Sequence, residues 1–237
     1  MKNQITRILV SMILLCLFSV EFCKAQTNDA FAPTVIDFYN SRKFYRVLDK
    51  KKFEFTGSPY ADSNFYKGYI ITSDSSIYHG IYLRYNNYKD VMEFKKEENE
   101  IYEIPNALPV LQMKFNGAIF EKKMYQLKGI SKSGFFRRVT NGRTSLFCQQ
   151  RIILEKAKMA SLYNASKLPN FKQTALKWYL QMDKNKELVS FSNKKELLSI
   201  LSDEENKLST FIKKNKLKIR REDDMVEIVN YYNVIAR

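Results

Sequence analysis

"YHGIYLRYNNYKDVMEF", residues 78–94, decides how the chain is read. Apolar and polar residues alternate up to Arg84, two asparagines interrupt, and Met92 and Phe94 resume on a common side. A period of two marks a half-buried strand and the Asn pair marks a turn, so the stretch reads as a β-hairpin. On a regular strand Ile77, His79, Ile81 and Leu83 share the apolar face, and Tyr78, Tyr82 and Arg84 share the other. Tyr78, Tyr82, Arg84, Tyr85 and Tyr88 are then a candidate contact surface. The alternative is that these tyrosines pack beneath the preceding segment or beneath later helices.

The same pattern extends outward from about residue 65 to 156. Short runs rich in Tyr, Phe, Ile and Val are separated by "SDSS" at 73–76, "PNALP" at 105–109, and two Asn-Gly pairs, Asn116-Gly117 and Asn141-Gly142. Asn-Gly readily adopts the positive φ angles of a tight hairpin turn. Without helical patterns between the runs a parallel sheet is disfavoured, and an antiparallel meander follows. "ALKWYLQM" and "ELVSF" predict a further hairpin over about 175–191.

The period then changes. Ser192 is placed to cap a helix with Leu197, Leu198, Ile200 and Leu201 on its apolar side, and Ser202-Asp203 to restart a second with Leu208, Phe211 and Ile212. "REDD" at 221–224 sets three carboxylates on the first turn of a third helix burying Met225, Val226, Val229 and Tyr232. The fold class is α+β: an antiparallel, curved β-meander over 58–191 with short helices over 192–237. Residues 26–57, aromatic at Phe38, Tyr39, Phe44, Tyr45, Phe53 and Phe55, form a lead-in that packs on the sheet.

Residues 1–25 read as a secretory signal, cut before Gln26. Lys2 and Arg7 precede an apolar run from Ile8 to Val20, and Cys23 and Ala25 occupy the small-residue positions. Its removal takes Lys2, Arg7 and Lys24 against Glu21, so the formal charge of +15 falls by two to +13. It also removes two of the three cysteines and leaves Cys148, too few for an intrachain disulfide. The apolar run is too short for a comfortable membrane span, and no second one follows. In an exported chain the positive balance favours anionic envelope glycan or lipid, or another envelope protein, over nucleic acid.

Candidate chemistry is sparse. His79 is the only histidine, so a zinc set lacks ligands, and no Asp-x-Asp-x-Asp-Gly run offers a calcium loop. No Gly-x-Ser-x-Gly elbow accompanies the histidine, and nothing near Cys148 in sequence would lower its thiol pKa. "SNKK" at 192–195 has Ser-x-x-Lys spacing without its companion motifs. "EENE" at 97–100 and "DEE" at 203–205 would serve glycoside hydrolysis only if two acids faced each other across a cleft. "KKNKLKIRR" at 213–221 has six basic residues in nine. Lys213, Lys214, Lys216, Lys218, Arg220 and Arg221 are a candidate anion patch, or a solvated helix end anchored by Leu217 and Ile219. No catalytic residue, cofactor or metal site is assigned.

Together, "GSPY", "KGYIITSDSSIYHG", "LRYNNYKDVMEF", "SGFFRRV" and "NKKELL…FIKKNKLK…YYN" resemble a group of secreted bacterial proteins to which no activity is assigned. The resemblance runs from about residue 57 to 233. It implies export and a shared fold, and no catalytic residue. The chain departs from the group's pattern at Ser75, where the turn usually has glycine, and at Arg137, where the Phe-Phe pair is usually followed by an acid. The leading expectation is a non-catalytic envelope binding or scaffolding protein. The alternatives are a carrier sheltering a lipid or other apolar ligand on the curved sheet, and an acid-dependent glycoside hydrolase.

Overall fold

A computed structural model describes residues 33–47, 54–105, 107–127, 129–159, 165–183 and 187–236. The signal segment and Phe53 lie outside the described residues. Helix α1 (Val35–Asn40) opens the fold, capped by a reciprocal Thr34–Asp37 box. Thirteen strands follow: β1 (Tyr45–Arg46), β2 (Tyr66–Thr72), β3 (Ile77–Asn86), β4 (Val91–Glu97), β5 (Glu100–Ile104), β6 (Val110–Phe115), β7 (Ala118–Leu127), β8 (Ile130–Arg138), β9 (Ser145–Gln149), β10 (Ile152–Glu155), β11 (Asn170–Gln173), β12 (Lys177–Gln181) and β13 (Val189–Phe191). Helices α2 (Lys194–Ile200), α3 (Glu205–Lys214) and α4 (Glu222–Ile235) close the chain.

Eleven strands form one antiparallel sheet in the order β1-β5-β4-β3-β2-β6-β7-β8-β9-β12-β13, and β10 and β11 form a separate two-stranded ladder. The fold is therefore α+β and mostly β, with its helices mainly at the C-terminal end. A sheet of this width has to curl, and two connections show that it does. Pro105–Pro109 joins β5 to β6 across four strand spacings, about 19 Å if flat. Six Cα steps reach about 20 Å only when fully extended, yet Leu108 N–H turns back to the Pro105 carbonyl. Farther along, Leu188 N–H donates to the Met124 carbonyl, bringing the start of β13 round to β7. Phe136, Phe147, Tyr179 and Leu188 fill the space this second roll encloses.

The N-terminal roll packs Ile70, Ile81, Leu83, Met92, Phe94, Ile104 and Met113 against Phe38 of α1, whose ring meets Phe44, Tyr78 and Phe94 edge-on or tilted. The lead-in thus lays aromatic weight on the sheet, as a helix, which its sequence does not announce. On β9 and β12, Leu146, Cys148, Trp178 and Leu180 pack against Leu197, Leu208, Met225 and Ile228 of the C-terminal helices. The cap of α2 is Asn193, one residue beyond Ser192. Asn193 Oδ1 accepts from Glu196 N–H, while Ser192 N–H and hydroxyl donate to the Glu196 carboxylate. The second helix starts as a 3-10 turn at Ser202–Glu204, and α4 buries Met225, Val229 and Tyr232 together with Ile228, while Val226 is only half-buried.

The two Asn-Gly pairs have different fates. Asn116 (φ 48) and Gly117 (φ 70) make the tight turn between β6 and β7 that their residue types favour. Asn141-Gly142 lies in a longer connection, Val139–Thr144, and Gly142 does not take positive φ. Its requirement is close packing, since a Cβ there would sit 2.7 Å from Nδ2 of Asn233 on α4.

Lys216 follows α3 in the left-handed region (φ 55), with Leu217 N–H bonded to the Ile212 carbonyl and Lys216 N–H to that of Lys213. This is a Schellman cap with lysine where glycine fits best. Lys216→Gly is expected to stabilise the protein by up to about 1 kcal/mol, read as a small rise in Tm. A fall in Tm would show that the aliphatic stem of Lys216 matters more than its backbone strain.

Candidate functional site

A bulge changes the reading of residues 78–94. Gly68 pairs with Ile81 and Tyr69 with His79, so Gly80 is an extra residue on β3, at φ +72. One extra residue inverts the side-chain phase. Tyr78 therefore lies on the buried side with Ile81 and Leu83, and Ile77 and His79 face solvent. The expected apolar face containing His79 is corrected accordingly.

The five candidate contact residues do not form one surface. Tyr78 and Tyr85 are 7% and 8% exposed, while Tyr82 and Tyr88 are 48% and 39% exposed. Tyr88 packs on Phe171 of β11, and Arg84 is taken up by an internal ion pair. Its guanidinium lies 3.8 Å from the Tyr60 ring centroid and 4.2 Å from that of Phe65. It donates from Nε and Nη2 to Glu93, from Nη2 to the Tyr60 hydroxyl, and from Nη1 to the Ser63 carbonyl. Glu93, fully buried on β4, accepts further from Tyr60 and from Asn86. Burial, with the Glu93 charge beside it, pushes the Tyr60 hydroxyl pKa up to about 12. The cluster ties the segment before β2 to the sheet.

A second polar centre sits at the β3–β4 turn. β8 and β9 pair only at Arg137–Cys148 and Arg138–Phe147, so they splay toward the start of β8. Asp90 (φ 60) bridges them. Its carboxylate accepts from the Tyr85 hydroxyl at 2.6 Å, Gln149 Nε2 at 3.4 Å, Arg151 at 2.7 Å and the Phe135 amide. Gln149 donates also to the Phe135 carbonyl, and Gly134 leaves room, since a Cβ there would sit 3.0 Å from the carboxylate. Burial outweighs these donors and raises the Asp90 pKa.

Between the two centres the sheet and the segment before β2 line a half-open cavity of about 210 Å³. Its apolar wall is Tyr85, Phe115, Phe120, Phe135, Ala118 and Leu176, with the Phe115 and Phe120 rings stacked at 5.0 Å. Its polar edge is Asn64, Asn87, Asn116, Gln149 and Gln150, with Asp62 at the rim bonded to Tyr66. Both lining arginines are already paired: Arg84 with Glu93, and Arg137 through both terminal nitrogens with Glu222 of α4. Arg137 thus forms half of an ion pair that anchors α4. Cys148 lines the base, where burial pushes its thiol up to about 12 and keeps it protonated at neutral pH.

Asp62 is the only carboxylate among the residues lining the cavity, so the facing pair that glycoside hydrolysis needs is not formed there. Among the described residues, no cluster of three or more His, Cys, Asp or Glu side chains is arranged around a metal-sized space. No helix among them is long and apolar enough to cross a membrane. Lys213, Lys214, Lys216, Lys218, Arg220 and Arg221 are all exposed around the α3–α4 connector, with Leu217 and Ile219 packed on the core. Asp224 accepts the Lys218 amide at 2.8 Å and faces Arg221 at 3.8 Å, so part of this charge is answered within the chain.

Sequence reasoning missed the cavity and both polar centres. The legible hint was that Asn86, Asp90 and Glu93 lie beside the aromatic and apolar residues of this hairpin. Comparisons of the chain with protein families, with curated proteins and with solved structures found no match.

Proposed function

We propose that this is an exported, non-catalytic binding protein that holds one small uncharged ring, such as a sugar unit of envelope glycan, in the cavity on its rolled sheet. The observation that carries this reading is the cavity itself, aromatic on one wall and amide-lined on its edge. Its volume of about 210 Å³ exceeds the roughly 150 Å³ that admits benzene. It falls below the roughly 300–1,000 Å³ of sites for larger ligands. One ring fits that space and a lipid tail does not, which sets the carrier reading behind this one. An aromatic wall suits the C–H face of a sugar, and the amides at the edge suit its hydroxyls through the positions left by the internal hydrogen bonds of Asn87, Gln149 and Gln150. Because Arg84 and Arg137 are paired internally, the cavity selects for an uncharged group.

Titration of the mature chain with neutral saccharide fragments, followed by calorimetry or NMR, is expected to show saturable binding insensitive to salt. Ala118→Phe, which fills the cavity from β7, is expected to weaken it at least about tenfold. Failure of every neutral saccharide to bind, or undiminished binding by a folded Ala118→Phe variant, sinks the reading. Affinity that falls steeply with salt would instead favour attachment through the basic surface.

A further inference from the structure

The cavity opens on one side. Behind its base, Cys148 belongs to the core it shares with Trp178 and Met225, and behind its aromatic wall Phe115 and Phe135 belong to the core of the N-terminal roll. Arg137, paired with Glu222 of α4, and Leu176, packed on the helical core, close the far end. Asn87, 5% exposed, seals the flank beneath the segment before β2. Its side chain accepts from the Ala61 amide at 2.9 Å and donates to the Gln150 carbonyl at 2.8 Å, which ties that segment to the chain just after β9.

The exposed lining residues gather on the remaining side: Ala61, Asp62 and Asn64 in that segment, and Asn116 at the β6–β7 turn. Gly68 pairs with Phe115, so the same register sets Asn116 level with Lys67, next to Tyr66 on the rim. Internal bonds hold this rim in shape. Asp62 accepts from the Asn64 amide at 3.0 Å and from the Tyr66 hydroxyl at 2.7 Å, and the Ser63 carbonyl accepts from Arg84 at 3.0 Å. The mouth is thus built into the fold, between Asn64 and Asn116.

A sugar unit inside a glycan chain is linked on two sides of its ring and needs two outlets, whereas a terminal unit needs one. The cavity offers room for one ring and a single outlet. We infer that it takes the terminal hexose or N-acetylhexosamine unit of a neutral glycan chain, with the rest of the chain leaving between Asn64 and Asn116. The inference rests on the reading of the cavity as a saccharide site, and adds which unit of the chain enters it.

The test titrates the mature chain with two series by calorimetry. One is glucose, isomaltotriose and linear dextran, and the other is N-acetylglucosamine with its β-1,4-linked trimer and hexamer. In a series that binds, the dissociation constant per molecule is expected to stay within about twofold from the trimer to the longest member, because one ring is buried whatever the length. Ala118→Phe is expected to weaken every member by the same factor. Affinity per molecule that grows in proportion to the number of internal units overturns the inference and leaves the cavity reading standing. A long chain that still binds Ala118→Phe undiminished, while the free sugar is lost, overturns it in the same way. No binding by either series overturns it too, and the cavity reading is then decided by the wider set of neutral fragments.

Discussion

Glu93→Ala is expected to destabilise the protein by about 3–5 kcal/mol, the largest single effect among the polar positions. Glu93 is fully buried and receives hydrogen bonds from Arg84, Tyr60 and Asn86. Its removal leaves the Arg84 guanidinium, only 12% exposed, held between two rings with no counter-charge. It also leaves the Asn86 amide and the Tyr60 hydroxyl without their acceptor, and an unmade buried hydrogen bond costs about 1–3 kcal/mol. Denaturant unfolding followed by tryptophan fluorescence from Trp178 measures the loss. The double substitution Arg84→Met/Glu93→Leu separates pair from site, because replacing both charges by apolar groups of similar size is often neutral. It is expected to recover most of the stability. A double variant as unstable as Glu93→Ala would mean that the hydrogen bonds to Tyr60 and Asn86 dominate.

Asp90→Asn is expected to cost about 2–3 kcal/mol at neutral pH, with a pH dependence that identifies the residue. Asparagine tolerates the left-handed backbone at this position, so the loss reports the carboxylate alone. All four of its partners are donors, and the amide nitrogen would face one of them. Asp90 has a native pKa raised above 3.8. Between that value and the native one, the folded state keeps a proton that the unfolded state has released. Stability from this group is therefore fully present in acid and declines as pH rises through the window. The groups facing it are Tyr85, Gln149 and Arg151, with Tyr125 and Tyr179 sensing its charge, and none of them titrates in acid. The stability difference between wild type and Asp90→Asn should thus widen toward acid and narrow toward neutrality. A difference that is flat with pH would show that Asp90 is not held in its raised state.

Much of the fold is legible from local chemistry. The alternation in "VLQMKF" and the Asn116-Gly117 turn predict β6, the turn and β7 as they stand. The hairpin of β12 and β13 and the three C-terminal helices fall where period and composition place them, within a residue or two. The candidate sites fared differently. Arg84 reads as a surface cation because its partner Glu93 reads as a surface acid, and only the β3–β4 register brings them together. Tyr78 reads as outward-facing because Gly80 looks like an ordinary strand residue until its pairing reveals the bulge.

The sequence by itself determined which segments become strands or helices, because those preferences rest on side-chain period, caps and turn residues a few positions apart. It determined too that the sheet is antiparallel, since most successive strands are joined by short turns that return the chain alongside itself. Tertiary structure decided the phase of β3, the rolling of the sheet, the wedge of Asp90 between β8 and β9, and the cavity. Each of these joins residues far apart in the chain, such as Asp90 with Gln149 and Arg137 with Glu222. Their meeting depends on strand register and sheet curvature, which no local pattern encodes.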